Sequence, residues 1–539
     1  MVKMKESWQS QFAEHHALEV ELPKVETKEI RDRGADSPVW LHFGGGNLYR
    51  GMHAEIAQDL IDENELNAGV VVLETFDDEV IDKAYKNYNN NILQVVMSED
   101  GTLHKRLLAS TSEAIYANPT NRGSWKRIQQ YFESPVLQFA TFTITEKGYH
   151  LTTTEGKLLP IIEQDMQKGP EEPQHTMSIV VSLLYARFKA GQLPIAMVTT
   201  DNFSKNGEKL QNSVLTIAHA WKEKGHVPNK FINYLTDIEK VTFPWSMIDR
   251  ITPNPSESIL KRLTDLGFDD LEIFYTRKGT NVAPFVNTEE IHYLVIEDAF
   301  PNGRPNLAKG GVILTDRETV DKIDVMKVTT CLNPLHTALA VFGSILRFDS
   351  IAREMRDPEL KKLIEKIGYT EGLPVVADPE IISPREFIDE VVNTRLPNPA
   401  IPDTPQRIAT DTSQKLAIRF GETINKYVLH NDKSAKDLTF IPLVLAGWLR
   451  YLLAVDDAGK AFVPSPDPLL DEMQQKLESV KLGESTDNLE KILHPILSND
   501  RIFGIDLYKA DIADKVISYF NELIAGPGAV RATLKKYLA

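Results

Sequence analysis

The sequence predicts an α/β protein, with a doubly wound parallel sheet in residues 1–320 followed by a mostly α-helical half in residues 321–539. Three observations point there. Short apolar, β-rich runs alternate with amphipathic stretches through roughly the first 300 residues, as strands and crossover helices do in a parallel sheet. Most of these runs end in small or polar residues, and such strand ends line the ligand crevice of a doubly wound sheet. Beyond Asp321 long helical stretches take over. A chain of 539 residues also exceeds the ~250–300 at which a single core stops growing, so at least two domains are expected.

The clearest strands are Val39–Phe43, Val70–Glu74, Val136–Thr145, Pro194–Thr200 and Ile291–Ile296. The chain then turns around Pro301–Pro305, and Gly310–Leu314 reads as a last strand. The helical half is expected to contain Asp349–Gly368, Pro384–Asn393, Pro405–Tyr427, Phe440–Val455, Pro468–Val480 and Ile512–Leu523. There is no internal repeat and no low-complexity tract.

A net charge of −17 would repel nucleic acid and anionic membranes, so neither is expected as a partner, and a small anionic ligand would need locally placed cations. The single cysteine, Cys331, leaves no internal disulfide framework and no multi-cysteine zinc site. Residues 3–16 are charged and polar, without the apolar core of a signal peptide, and no run of about 18 apolar residues is evident. A cytoplasmic protein is expected, monomeric or weakly self-associating.

The first strand runs into Gly44-Gly45-Gly46-Asn47-Leu48-Tyr49-Arg50-Gly51. Glycines there permit a tight turn and let the backbone approach a pyrophosphate at the next helix N-terminus, which is the Rossmann-type arrangement. The fingerprint is imperfect, because its third glycine falls at Tyr49. The next strand ends at Glu74, a candidate acid for the adenosine ribose. A carboxylate there would repel a 2′-phosphate, which favours NAD over NADP; the structural alternative is a helix-start charge.

Further polar clusters close later runs: Thr143–Tyr149, Thr199–Gly207 and Thr242–Pro253. Each could equally be an ordinary loop with capping residues. The segment Met326–His336 holds Lys327, Asn333 and His336 at the head of an apolar stretch running to Phe348. A lysine, an asparagine and a histidine on one element can transfer a proton, hold an oxyanion and orient a hydroxyl without a metal. The plainer reading is a helix entry with a solvated Lys, a capping Asn and a satisfied His. Farther on, Thr404-Pro405 reads as an N-cap with proline at the first helical position, opening a helix that carries Arg407, Asp411 and Lys415 within about 80° of arc. Those three form either a solvated salt-bridge ladder or a face offered to a polar substrate.

Together these stretches resemble the polyol-specific long-chain dehydrogenases, the family that includes mannitol 2-dehydrogenase and the fructuronate and tagaturonate reductases. The resemblance covers most of the chain. Its carriers are the glycine loop with Arg50, T-x-T-E-K-G-Y at 143–149, D-N-x-x-x-N-G at 201–207, F-P-x-S-M-x-D-R-I-T-P at 243–253, the Lys-Asn-His segment, and the N-P-A-I…D-x-S-Q-K stretch ending at Lys415. The F-P-x-S-M-x-D-R-I-T-P match is the most specific of these, and the glycine loop is not specific. The family implies a metal-independent, NAD(P)-linked hydride transfer between a secondary alcohol and a ketone. By the same resemblance Lys327 is the general acid/base, Asn333 and Asn202 bind the substrate oxygen, and His336 orients it. Asp249, Arg407 and Lys415 bind substrate, while Gly44, Gly46, Asn47, Arg50 and Glu74 hold NAD.

The chain departs from the family pattern at the lysine. Family members place it five residues before the asparagine, whereas Lys327 precedes Asn333 by six. On an unbroken helix Lys327 would point about 180° from His336. Pro334 removes a backbone donor and clashes with the carbonyl at position 330, so a π-bulge or a restart at Asn333-Pro334 is expected to absorb the extra residue.

Within the family, the C-L-N-P-L-H variant and the pair Arg407 and Arg395 favour a hexuronate substrate, D-fructuronate interconverted with D-mannonate. Mannitol 2-dehydrogenase or tagaturonate reductase activity is the alternative, and a non-catalytic NAD sensor the distant one.

Overall fold

The apolar runs of the first half become a six-stranded parallel sheet in the computed structural model, which describes residues 2–13, 18–98, 100–153, 155–484 and 488–539. Its strands are β1 (Trp40–Phe43), β2 (Val70–Glu74), β3 (Thr111–Tyr116), β4 (Phe139–Phe142), β5 (Ile195–Thr199) and β6 (Val241–Thr242). Their order is β3-β2-β1-β4-β5-β6, every pair parallel. This is the order in which a dinucleotide crevice opens at the reversal between β1 and β4.

The strands read as unbroken apolar runs because both faces of the sheet are covered. Leu41, Phe43, Val71, Leu73, Ala140, Phe142 and Met197 enter one core, with Trp125, Ile128 and Phe132 of the helix Arg122–Glu133. Their neighbours Trp40, Val70, Val72, Phe139, Ala196 and Val198 enter the other, with Ile56 and Leu60 of the helix α1 (Ala54–Asp62). The period of two along each strand thus feeds two cores at once.

The chain divides into two compact units, the first on Met1–Ser98 and Thr102–Asp321, the second on Lys322–Ala539. The second is built on α2 (Asn333–Ile345), α3 (Phe440–Leu452) and α4 (Ala513–Leu523), with α3 packed against both of the others. Gly447 lets α3 approach α2 closely, since a Cβ there would lie 2.6 Å from the Phe342 ring. The helical stretch Arg317–Ile345 is long and apolar enough to cross a membrane, and 78% of its most apolar window is buried inside the protein.

Several expected elements differ. Strands β3 and β6 were not foreseen, nor was a four-stranded sheet containing Ile92–Met97, Leu103–Leu108 and Phe285–Glu289. Asp349–Gly368 is not one helix: it breaks between Glu354 and Pro358 and ends in a π-turn from Lys366. Pro405–Tyr427 is also not one helix. Only Pro405–Ile408 is helical at its start, and Asp411 then takes a left-handed conformation (φ 54°). The arc computed for Arg407, Asp411 and Lys415 on a regular helix therefore does not apply.

Candidate active site

In the first unit, β1 delivers the chain into Gly44 at φ +105°, where a Cβ would stand 2.2 Å from the Thr143 carbonyl oxygen. Only glycine fits that turn. The loop is pinned from two directions: the Gly45 N–H donates to Glu74 Oε2 (2.8 Å), and the Tyr85 hydroxyl donates to the Gly45 carbonyl (2.8 Å). A Cβ on Gly46 would meet nothing within 4 Å, so this side of the loop is open to a ligand. Helix begins at Asn47, and its first-turn N–H groups lack intrahelical acceptors by construction. The loop, the helix start and the acid together fit a dinucleotide.

Glu74 does more than end β2. Its Oε1 accepts from the Phe76 and Asp77 N–H groups (2.7 and 3.2 Å). The cap of the next turn is Asp77, which accepts from the Glu79 N–H. Arg50 is fully buried beside the loop, with its guanidinium 5.8 Å from the Tyr85 ring centroid and Nη2 3.4 Å from the Phe285 carbonyl. Its Nε and Nη1 have no hydrogen-bond partner, and burial pushes its pKa down.

Two residues of the D-N-x-x-x-N-G motif to which the sequence reading gave no role hold the other strand ends together. Asp201 accepts from the Ile144 and Thr145 N–H groups (2.9 Å each) and from the Tyr149 hydroxyl (2.6 Å). That joins the T-x-T-E-K-G-Y end of β4 to the loop after β5. Asn206 donates to the Asp201 and Ser246 carbonyls (3.0 Å each) and accepts from the Gly207 and Ser246 N–H groups (2.8 and 3.0 Å). It staples the D-N-x-x-x-N-G loop to the strand Ser246–Asp249. Asn202 is exposed on that loop and Asp249 is buried at the end of that strand. Arg250 is occupied structurally, paired with Glu55 and donating to the Glu289 carbonyl (3.1 Å).

In the second unit, Lys327 opens a π-turn, Lys327–Cys331, after which Leu332 leaves helical geometry (φ −129°, ψ −61°) and α2 restarts at Asn333-Pro334. Both expected devices are present in succession, and they accommodate the residue that separates this chain from the family spacing. The Lys327 side chain is buried, its ammonium 3.5 Å from Asp324 Oδ1. One regular turn along α2, His336 Nε2 lies 3.5 Å from Asp403 Oδ2 without meeting hydrogen-bond geometry. Burial lowers the His336 pKa to about 4; Asp403 opposes the shift, and Arg419, Arg407 and Arg395 reinforce it. The imidazole is therefore neutral at neutral pH.

Asp403 also pairs through Oδ1 with Arg407, so one carboxylate spans the histidine and the arginine. Thr404 caps the short helix, accepting from the Arg407 N–H (3.2 Å), as its sequence position indicated. Arg419 donates to the Thr337 hydroxyl one residue beyond His336. The Lys415 ammonium donates to the Thr410 carbonyl, and burial lowers its pKa, with Arg419 and Arg407 adding to the shift. Asp403 and Arg419 were also missed in the sequence. Arg419 could have been found by its spacing, four residues beyond Lys415; nothing local links Asp403 to His336.

The family model for the mannitol dehydrogenase Rossmann domain matches residues 39–309, and that for the mannitol dehydrogenase C-terminal domain matches residues 319–523. The chain belongs to the mannitol dehydrogenase family. It is 51% identical over 521 residues to D-mannonate oxidoreductase of Thermotoga maritima, covering 96% of this chain and 95% of that protein. Among solved structures it is similar to a substrate-free D-sorbitol dehydrogenase (TM-score 0.79) and to Pseudomonas fluorescens mannitol 2-dehydrogenase in a ternary complex with NAD and D-mannitol (TM-score 0.70). Each of these is 23% identical and covers 96% of this chain and 97% of the other. At that identity the two structures speak for the shared fold.

Proposed function

We propose that this protein interconverts D-fructuronate and D-mannonate by NAD-linked hydride transfer. The observation that carries the reading is the 51% identity to the Thermotoga maritima D-mannonate oxidoreductase across nearly the full length of both chains. NAD supplies or accepts the hydride when bound. Its pyrophosphate belongs at Gly44, Gly46 and Asn47, where an open glycine face meets a helix N-terminus, and its ribose diol at Glu74. Arg50 supports the loop from beneath, because its full burial leaves it no exposed surface toward a ligand.

In the reducing direction Lys327 donates the proton to the ketone oxygen as the hydride arrives, and Asn333 and Asn202 offer amide N–H groups to that oxygen as charge develops. A neutral His336 can share a hydrogen bond with a neighbouring hydroxyl without adding a fourth positive charge to the arginines around it. Asp403 pairs with Arg407 and lies 3.5 Å from His336. Arg407 and Lys415 are assigned to substrate oxygens, the carboxylate among them, and Asp249 to a hydroxyl. Support for the anionic substrate comes from Arg419, Arg407 and Arg395, whose charges all act on His336.

The test is NADH oxidation by the purified protein against D-fructuronate, D-tagaturonate and D-fructose in parallel. Fructuronate should be the best substrate by kcat/KM. Preference for fructose would make the protein a mannitol 2-dehydrogenase, and turnover of none of them would make it a sensor.

A further inference from the structure

Two residues beyond Glu74, Phe76 is 61% exposed. Its position is nevertheless fixed, since its N–H donates to Glu74 Oε1 (2.7 Å). A hairpin from much later in the chain, Phe274–Tyr275 paired with Asn281–Val282, is tied down beside it. The Thr276 and Thr280 hydroxyls both donate to Asp77 Oδ2 (2.5 and 2.6 Å), and the Arg277 N–H donates to Glu79 Oε2 (2.7 Å). At the hairpin tip the Lys278 ammonium donates to the Phe76 carbonyl and stands 5.0 Å from the centre of the Phe76 ring.

An exposed phenyl forgoes most of the stabilisation that its burial would provide, yet here a remote hairpin is anchored at three side chains and leaves the ring in water. The ammonium stands over the ring, and Phe76 is still largely exposed. A ring polarised by a cation on one side is a platform for an aromatic heterocycle on the opposite side. We propose that Phe76, backed by Lys278, stacks on the adenine base of the dinucleotide. The proposal rests on the reading of Glu74 as the ribose acid, because the base hangs from the same ribose and must lie within a few ångströms of that carboxylate.

The experiment measures the affinity of the full-length protein for NADH and for reduced nicotinamide mononucleotide, which lacks the adenosine half. The variants are Phe76→Ala, Phe76→Tyr, Lys278→Met and Glu74→Ala. Phe76→Ala should weaken NADH binding about 5- to 150-fold, the range found for loss of one base–aromatic stack, and leave the mononucleotide unaffected. Phe76→Tyr should bind NADH as the parent does, and Lys278→Met should lose about two- to fivefold. Unchanged NADH affinity in Phe76→Ala, alongside weakened binding in Glu74→Ala, would overturn the stacking platform and leave the ribose site standing. Equal losses for NADH and the mononucleotide in Phe76→Ala would also overturn it, by showing a distorted glycine loop. If neither Phe76→Ala nor Glu74→Ala changes NADH binding, the cofactor reading of this strand end fails as well.

Discussion

At the carboxyl ends of the sheet, the candidate side chains are placed by carboxylates and amides that bond the backbone of neighbouring strand ends: Glu74 to the glycine loop, Asp201 to the turn after β4, Asn206 to the strand of Asp249. In the helical unit they are placed by departures from regular helix: the π-turn at Lys327, the break at Leu332, the left-handed Asp411. The first kind of placement is stiff and electrostatically satisfied, which suits a cofactor whose binding must not vary with the substrate. The second gathers cations around a neutral histidine, which suits recognition of an anionic substrate. If the two regions divide the work this way, substitutions should separate cofactor effects from substrate effects.

The largest separation is expected at Lys327. Lys327→Ala should lower the turnover rate by about 10²- to 10⁴-fold, as loss of a general acid/base does, with NADH affinity nearly unchanged in a binding titration. A comparable loss of NADH affinity would break the division.

His336 gives the next effect, in stability. Its folded pKa of about 4 lies below the unfolded value of about 6.5, so between those values the unfolded chain binds more protons and stability rises with pH. The contribution is complete above about pH 6.5 and is lost as pH falls toward 4, at most about 3 kcal/mol. His53, which closes the π-turn Tyr49–His53 of the first unit, is lowered to about 4 by the same burial effect, so the parent must be compared with His336→Gln. In urea unfolding across pH 4–7 the variant should show a shallower rise; an identical slope would place His336 in a more hydrated setting than its burial implies.

Arg407→Met sharpens the substrate side. A charge-assisted arginine–carboxylate contact is worth about 1.5–3 kcal/mol, or roughly ten- to 150-fold in binding. The variant should therefore raise KM for fructuronate much more than for fructose, whereas equal effects would reduce Arg407 to holding hydroxyls. The smallest effect is expected at Glu74, where Glu74→Ser should narrow the preference for NADH over NADPH by about two- to fivefold, the size of a weak charge interaction. A parent protein indifferent to the 2′-phosphate would remove Glu74 from that role.

The same contrast explains what could be read from the sequence. Strands β1, β2, β4 and β5 announce themselves because a doubly covered parallel sheet needs continuous apolar runs, and their polar ends mark the crevice. Strand β3 escaped because Thr-Ser-Glu-Ala-Ile-Tyr at the sheet edge lacks such a run, and β6 because it is two residues long. The disturbance near Lys327 was legible, since Pro334 cannot continue a regular helix and the family spacing was off by one. The break at Asp411 was not. Thr404-Pro405 correctly marks a helix start, but aspartate tolerates the left-handed conformation that ends it. Pairs such as Asp403 with His336 are set by tertiary packing between residues far apart in the chain, and no local pattern encodes them.

Whether this is a hexuronate-type member of its family is decided by NAD⁺ reduction with D-mannonate and with D-mannitol, measured side by side. For a hexuronate-type enzyme, kcat/KM for mannonate should exceed that for mannitol by at least the roughly tenfold that one charge-assisted carboxylate contact provides. Equal or better turnover of mannitol would contradict the hexuronate reading.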